Sequence, residues 1–192
     1  LFGSNLTSWE RNDNFYHTAP SIEGPWTKQG IFCPEGTLTY NSQSTFILPL
    51  HRGDSIIYMY MGDRWSYPHQ ASSATYVWLP MQVEGLKLSI PEYWPVWNPE
   101  TMQPVSELGG KVVTVRFKSK EKGSKLTLPF EGTRIAIKGY TFNNGGYGRI
   151  TIVDNQDNTV HTNLIDFYSK VPDDGLRYVS PLLPQGAYTL IV

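Results

Sequence analysis

A chain of 192 residues with a formal net charge of −1 has room for one large domain or two small ones, with a sizeable core. Near-neutrality excludes the basic balance of a nucleic-acid binder and of a protein drawn to membranes by charge, and no apolar run approaches the roughly 18 residues that span a bilayer. The single cysteine, Cys33, rules out an intrachain disulfide and a cysteine-pair metal site, and reads as a small buried hydrophobe.

Little of the sequence supports a helix. Apolar residues alternate or come in short runs bounded by Gly, Pro, Asn and Asp, which is the pattern of strands joined by turns. In chain order, Phe15–Ala19, Thr45–Leu50, Ser55–Met61, Thr75–Met81 and Lys87–Ile90 read as strands. Turn signals separate them at Glu23-Gly24-Pro25, His51-Arg52-Gly53-Asp54 and Glu84-Gly85. The stretch YNSQSTF at residues 40–46 alternates as well, and as a strand it sets Asn41, Gln43 and Thr45 on one face. Four consecutive strands at this spacing fit one blade of a β-propeller or half of a sandwich.

Residues 91–110 are rich in Pro and end in Gly-Gly, which marks a linker, placed at 99–110. Beyond it, Lys111–Phe117, Ser124–Phe130, Thr133–Lys138, Arg149–Val153, Val160–Phe167, Leu176–Ser180 and Ala187–Val192 read as seven short strands of an antiparallel sandwich. Composition divides in the same place. All six tryptophans precede residue 98, and residues 1–103 carry 5 Lys+Arg against 9 Asp+Glu while 104–192 carry 11 against 8. The sequence therefore predicts an all-β protein of two domains, 1–98 and 111–192. Both ends fall in strand-like text, so the chain reads as a piece of something longer.

Four runs in order, SNLTSWERNDNFYHTAPSIEGPW, SQSTFILPL, YMYMGDRW and ATYVWLPM, resemble the C-terminal part of a family 43 glycoside hydrolase, in the branch that acts on β-1,3-linked galactan. The resemblance implies a five-bladed β-propeller of which 1–98 form the C-terminal blades, with the missing N-terminal part of the same propeller as a partner. It also implies inverting hydrolysis, in which an acid protonates the leaving oxygen and a second group activates water on the other face of the ring. In the family the general acid precedes the segment matching SNLTSW, so it is expected upstream of Leu1. The galactan branch places a glutamine at the water, and Gln43 matches it. A neutral amide is a poor base, so orienting the water is the role expected of Gln43.

The same resemblance makes Asn5, Thr7 and Trp9 substrate-binding candidates, with Ser8 standing where the family has glycine. Asp63, in Asp63-Arg64-Trp65, is a further candidate because adjacent strand residues face opposite ways, so that Asp63 could reach a pocket while Arg64 does not; a structural charge pair that holds the blade together is the favoured alternative for these two residues. The resemblance implies a galactan-like polysaccharide or oligosaccharide as substrate, no required cofactor and, because that substrate lies outside most bacterial cells, secretion or a periplasmic home. Glu35 reads as a solvated loop residue, and His17, His51, His69 and His161 show no metal-type spacing. Gly145-Gly146-Tyr147-Gly148 is a turn between strands rather than a phosphate loop. FEGTRIAIKGYTFNNGGYGRITIVDNQ resembles the galactose-binding-like sandwich modules of polysaccharide-degrading enzymes, with Tyr140, Phe142 and Tyr147 flanking Asn143 and Asn144. A non-catalytic carbohydrate-binding or bracing protein stays open as the alternative class.

Overall fold

The computed structural model describes residues 1–65, 75–106, 109–170 and 172–192; His69 lies outside them. The chain divides into two compact units, Leu1–Ser106 and Glu107–Val192. Both are built of antiparallel sheets, as the alternation predicts.

The first unit opens with a three-stranded sheet of β1 (Phe2–Gly3), β2 (Phe15–Thr18) and β3 (Thr27–Ile31). A four-stranded meander follows: β4 (Gln43–Arg52), β5 (Ser55–Arg64), β6 (Thr75–Glu84) and β7 (Lys87–Ser89). Its alternation sorts side chains by face. Ile47, Tyr60 and Leu79 stand opposite one another across β4, β5 and β6, and the last two are fully buried with Val77, Phe32, Tyr16, Cys33 and Ile90 in the core of this unit. The opposite face carries Phe46, Met61 and Trp78 in one row. A short hairpin, β8 (Trp97–Asn98) with β9 (Gln103–Pro104), occupies part of the stretch read as a linker.

In the second unit β10 (Thr127–Gly132), β15 (Gly186–Ile191), β12 (Tyr147–Asp154) and β13 (Thr159–Asp166) form one sheet in that order. A second sheet pairs β11 (Ala136–Thr141) with β14 (Asp173–Val179). The two share a core of Ile150, Ile152, Ile165 and Leu190 from the first sheet with Tyr178 from the second.

Two sequence expectations need correction. Lys111–Phe117 is not a strand: among the described residues the segment pairs with no strand, and Val112, Val113, Val115 and Phe117 are all exposed. Alternation shows that a segment can form a strand, but the pairing that makes it one is non-local. Residues 40–42 are not a strand either, because a one-turn helical segment, Leu38–Asn41, precedes β4.

Candidate functional site

Residues 5–14, ahead of β2, hold a buried row of amides. Asn12 is 7% exposed and Asn14 only 1%. Burying an amide is unfavourable unless each polar atom finds a partner, and here the partners are present. Asn12 donates from Nδ2 to Thr7 Oγ1 at 2.6 Å and to the Asn5 carbonyl at 3.3 Å, and its Oδ1 accepts from Asn5 N at 3.2 Å. Asn14 donates from Nδ2 to the Asn12 carbonyl at 2.9 Å and to Asn12 Oδ1 at 3.1 Å, while its own Oδ1 accepts from Ser44 N at 2.7 Å. The Thr7 hydroxyl passes its hydrogen to the Glu10 carbonyl at 2.7 Å.

These bonds meet a strained turn. Leu38, Thr39, Tyr40 and Asn41 have φ of 54°, 53°, 53° and 63°, so the backbone winds left-handed through four residues, none of them glycine. Left-handed winding opposes Cβ to the following carbonyl and costs about 1–2 kcal/mol per residue, so the surroundings must hold it. Asp13 accepts from Gly36 N and from Leu38 N, both at 2.8 Å. Thr39 Oγ1 accepts from Asn14 N at 2.7 Å and donates to the Asn12 carbonyl at 3.1 Å. Ser42 Oγ donates to the Thr39 carbonyl at 2.6 Å and lies 2.9 Å from the Tyr60 hydroxyl. A bulge between Ser44 and Phe46 then interrupts the ladder. The predicted single face of Asn41, Gln43 and Thr45 is therefore absent: the first lies in the turn and the last in the bulge.

What the turn delivers is Gln43, the first residue of β4. Its Nε2 donates to the Ser8 carbonyl and to the Glu10 carbonyl, both at 2.9 Å. Two carbonyl acceptors fix which end of the amide is nitrogen, because a flipped amide would set oxygen against oxygen. Both amide hydrogens are thereby spent, and Oε1 is left as an acceptor. Asp63 stands directly across the ladder from Gln43. Asn5 and Thr7 lie on the loop that Gln43 holds, and Trp9, 44% exposed, sits between the two carbonyls it binds. The Trp9 ring meets that of Trp65 with centroids 4.7 Å apart at 50°, and Arg11 Nη2 donates to the Trp65 carbonyl at 2.9 Å.

The structure thus brings Asn5, Thr7, Trp9, Gln43 and Asp63 to one end of the first unit. Sequence reasoning missed Asn12, Asn14 and Trp65; the tryptophan that ends the YMYMGDRW run was a usable signal, whereas RNDNF reads as a polar turn. Arg64 reaches the Tyr40 carbonyl at 3.0 Å and lies 5.2 Å from the centre of the Tyr93 ring. Glu35 is exposed in a loop, and His51, expected in a turn, ends up within β4. Among the described residues no group of three His, Cys, Asp or Glu is placed to hold a metal ion, and no helix is long and apolar enough to cross a membrane. Cys33 is buried, and desolvation, with the charge of Asp13 adding to it, pushes its thiol up to about 12. In the second unit Tyr140 and Phe142 stack with centroids 6.0 Å apart at 23°, both exposed, as is Tyr147.

No protein-family model matches the sequence, and no curated protein matches it. Solved structures do. An exo-β-1,3-galactanase from Phanerochaete chrysosporium, in a variant crystallised with β-1,3-galactotriose, is 22% identical over 99% of this chain and 49% of its own, with a TM-score of 0.50. A family 43 β-1,3-galactosidase with galactodeoxynojirimycin is 30% identical over 50% of this chain and 28% of its own, at 0.44. An exo-β-1,3-galactanase from Clostridium thermocellum is 19% identical over 88% of this chain and 32% of its own, at 0.43. The chain spans half or less of the length of each of these structures. In fold, this all-β chain is similar to the exo-β-1,3-galactanases of glycoside hydrolase family 43.

Proposed function

We propose that this chain is part of a glycoside hydrolase that cleaves β-galactosidic bonds in galactan-type polysaccharide with inversion, its general acid lying outside these 192 residues. On this reading residues 1–98 are the C-terminal blades of a β-propeller completed by the rest of the protein, 99–110 join them to the next domain, and 111–192 are a sandwich accessory domain. The protein works outside the cytoplasm, where a polymeric substrate is met.

The observation that carries the reading is the amide of Gln43. With both Nε2 hydrogens held by Ser8 and Glu10, Oε1 keeps one orientation and accepts a hydrogen from water. The water's lone pair is then free to face the anomeric carbon, opposite the bond that the acid protonates. A carbonyl oxygen of an amide is too weakly basic to keep that proton, so Gln43 orients the water and does not act as the base; the proton passes to solvent as the new C–O bond forms and the bond to the protonated leaving oxygen breaks. The Trp9–Trp65 corner offers an apolar wall to a pyranose face, and Asp63 offers an acceptor to a sugar hydroxyl.

The test is galactose release from β-1,3-galacto-oligosaccharides by the whole protein. Gln43→Ala is expected to lower kcat by about 10²-fold, the loss that follows when a reacting group is misplaced by about 1 Å, with KM changed only a few-fold. An unchanged kcat removes Gln43 from the site. Calorimetric binding of the oligosaccharides by the whole protein without any release of sugar points instead to a binding or bracing role.

A further inference from the structure

We infer that Asn14, working through Asn12, is a positioning residue for Gln43; this rests on the reading of Gln43 as the group that orients water. The hydrogen bonds form a closed circuit. It leaves Gln43 through Nε2 to the Glu10 carbonyl, where the Thr7 hydroxyl also ends. From the Thr7 oxygen it passes to Asn12 Nδ2, from Asn12 Oδ1 to Asn14 Nδ2, and from Asn14 Oδ1 to the backbone N–H of Ser44, the residue bonded to Gln43 itself. The side-chain end and the backbone end of one glutamine are thus referenced to the same pair of asparagines.

Asn14 also fixes the approach to Gln43 from the other side. Its backbone N–H donates to Thr39 Oγ1 at 2.7 Å, inside the left-handed turn. The segment is therefore held before Gln43, at Thr39, and after it, at Ser44, by one residue that is 1% exposed. A core position asked only for stability would be filled at less expense by an apolar side chain, because two buried amides must each be matched in full. The matching here runs toward Gln43 and the loop it grips. A buried, fully satisfied network is also what keeps a reactive group within a few tenths of an ångström of its working geometry.

Asn14→Asp isolates the effect. It keeps shape and the acceptor for Ser44 N, but it turns an oxygen toward the Asn12 carbonyl and Asn12 Oδ1, so the circuit opens at one link. In the whole protein, labelled with 15N-glutamine, the Gln43 side-chain N–H resonances should shift and exchange with solvent at least about 10-fold faster, while other glutamine signals stay in place. The kcat should fall about 10-fold or more with KM within about 3-fold, and Asn14→Asp should add little to Gln43→Ala, because two residues acting as a unit are not additive. Unmoved Gln43 resonances, or a kcat loss that multiplies fully with that of Gln43→Ala, would overturn the inference. If Gln43→Ala leaves kcat untouched, the water-orienting reading fails, and the resonances still decide whether Asn14 positions the side chain. Should Asn14→Asp not fold, the wild-type protein decides: protection of both Gln43 Nε2 hydrogens together with the Ser44 amide supports the circuit, and their exchange at free-peptide rates refutes it.

Discussion

Arg64 donates from Nη2 to the carbonyl of Tyr40 at 3.0 Å, so the last residue of β5 is fastened to a peptide whose φ is 53°. The guanidinium also lies over the Tyr93 ring, and the Tyr93 and Tyr40 rings are neighbours at 5.6 Å. One cation thus braces the middle of a turn that its own residues disfavour. A charged donor lost from such a place typically removes about 1.5–3 kcal/mol. Arg64→Met should lower the stability of the protein by that much, read from the urea midpoint at constant slope. Arg64→Lys should restore only part, since an ammonium lacks the planar fork that bonds and stacks at once.

Gly62 lies under the pair of hydroxyls that closes the same turn. A Cβ at this position would meet the Tyr60 hydroxyl at 2.5 Å and Ser42 Oγ at 2.7 Å, and both groups are buried. Neither can give way without breaking the 2.9 Å contact between them. Gly62→Ala should therefore destabilise by about 1–3 kcal/mol, the usual penalty of overpacking. Thermal unfolding of the variant, several degrees below wild type, checks it.

Cys33 and Tyr60 share a core and share a response to alkali. Burial above all pushes each up to about 12, from 9.0 for the thiol and 10.0 for the phenol. Between those values the folded protein keeps protons that the unfolded chain has released, so stability falls as pH rises. The contribution is whole below about pH 9 and lost on the way to 12. Urea midpoints at pH 8, 9.5 and 11 should decline in that order, and less steeply in Cys33→Val. The folded protein should also resist iodoacetamide at pH 8, since the thiolate is the nucleophile and is not formed there.

Ile152, on β12, is fully buried between the sheets of the second unit. Ile152→Ala should lower that unit's stability by about 2–5 kcal/mol, and Ile152→Val by about 0.5–1.5. The two values, from denaturant titration, separate a packed core from a loosely filled one.

Much of this was legible beforehand. The strands around Phe15–Thr18, Thr45–Leu50, Ser55–Met61, Thr75–Met81 and Lys87–Ser89 were legible from alternation and short apolar runs, whereas β3 was not, because four of its five residues are exposed and no period of two is recorded. The entry to β4 escaped, since Leu38-Thr39-Tyr40-Asn41 has the β-branched and aromatic make-up of extended chain. Contacts distant in sequence, with Asp13, Asn14 and Arg64 among them, help hold it left-handed. Gln43 and Thr7 could be found from runs that stand in a familiar order. Asn12 and Asn14 could not, because an asparagine buried for its hydrogen bonds looks, in sequence, like one placed in a turn.

Residues 111–117 have one more consequence. Four apolar side chains exposed on a β-prone segment that, among the described residues, no strand pairs with are the ingredients of self-adhesion between molecules. Lys111, Arg116, Lys118, Lys120 and Lys122 are interleaved with or follow them, against Glu121 alone. Two such segments aligned edge to edge would bring these cations together, so repulsion acts as the gatekeeper. Its reach shrinks from about 10 Å in 0.1 M salt to about 3 Å in 1 M. The colloidal behaviour of the protein is thereby tied to ionic strength: a solution that stays clear in dilute buffer should turn cloudy in concentrated salt.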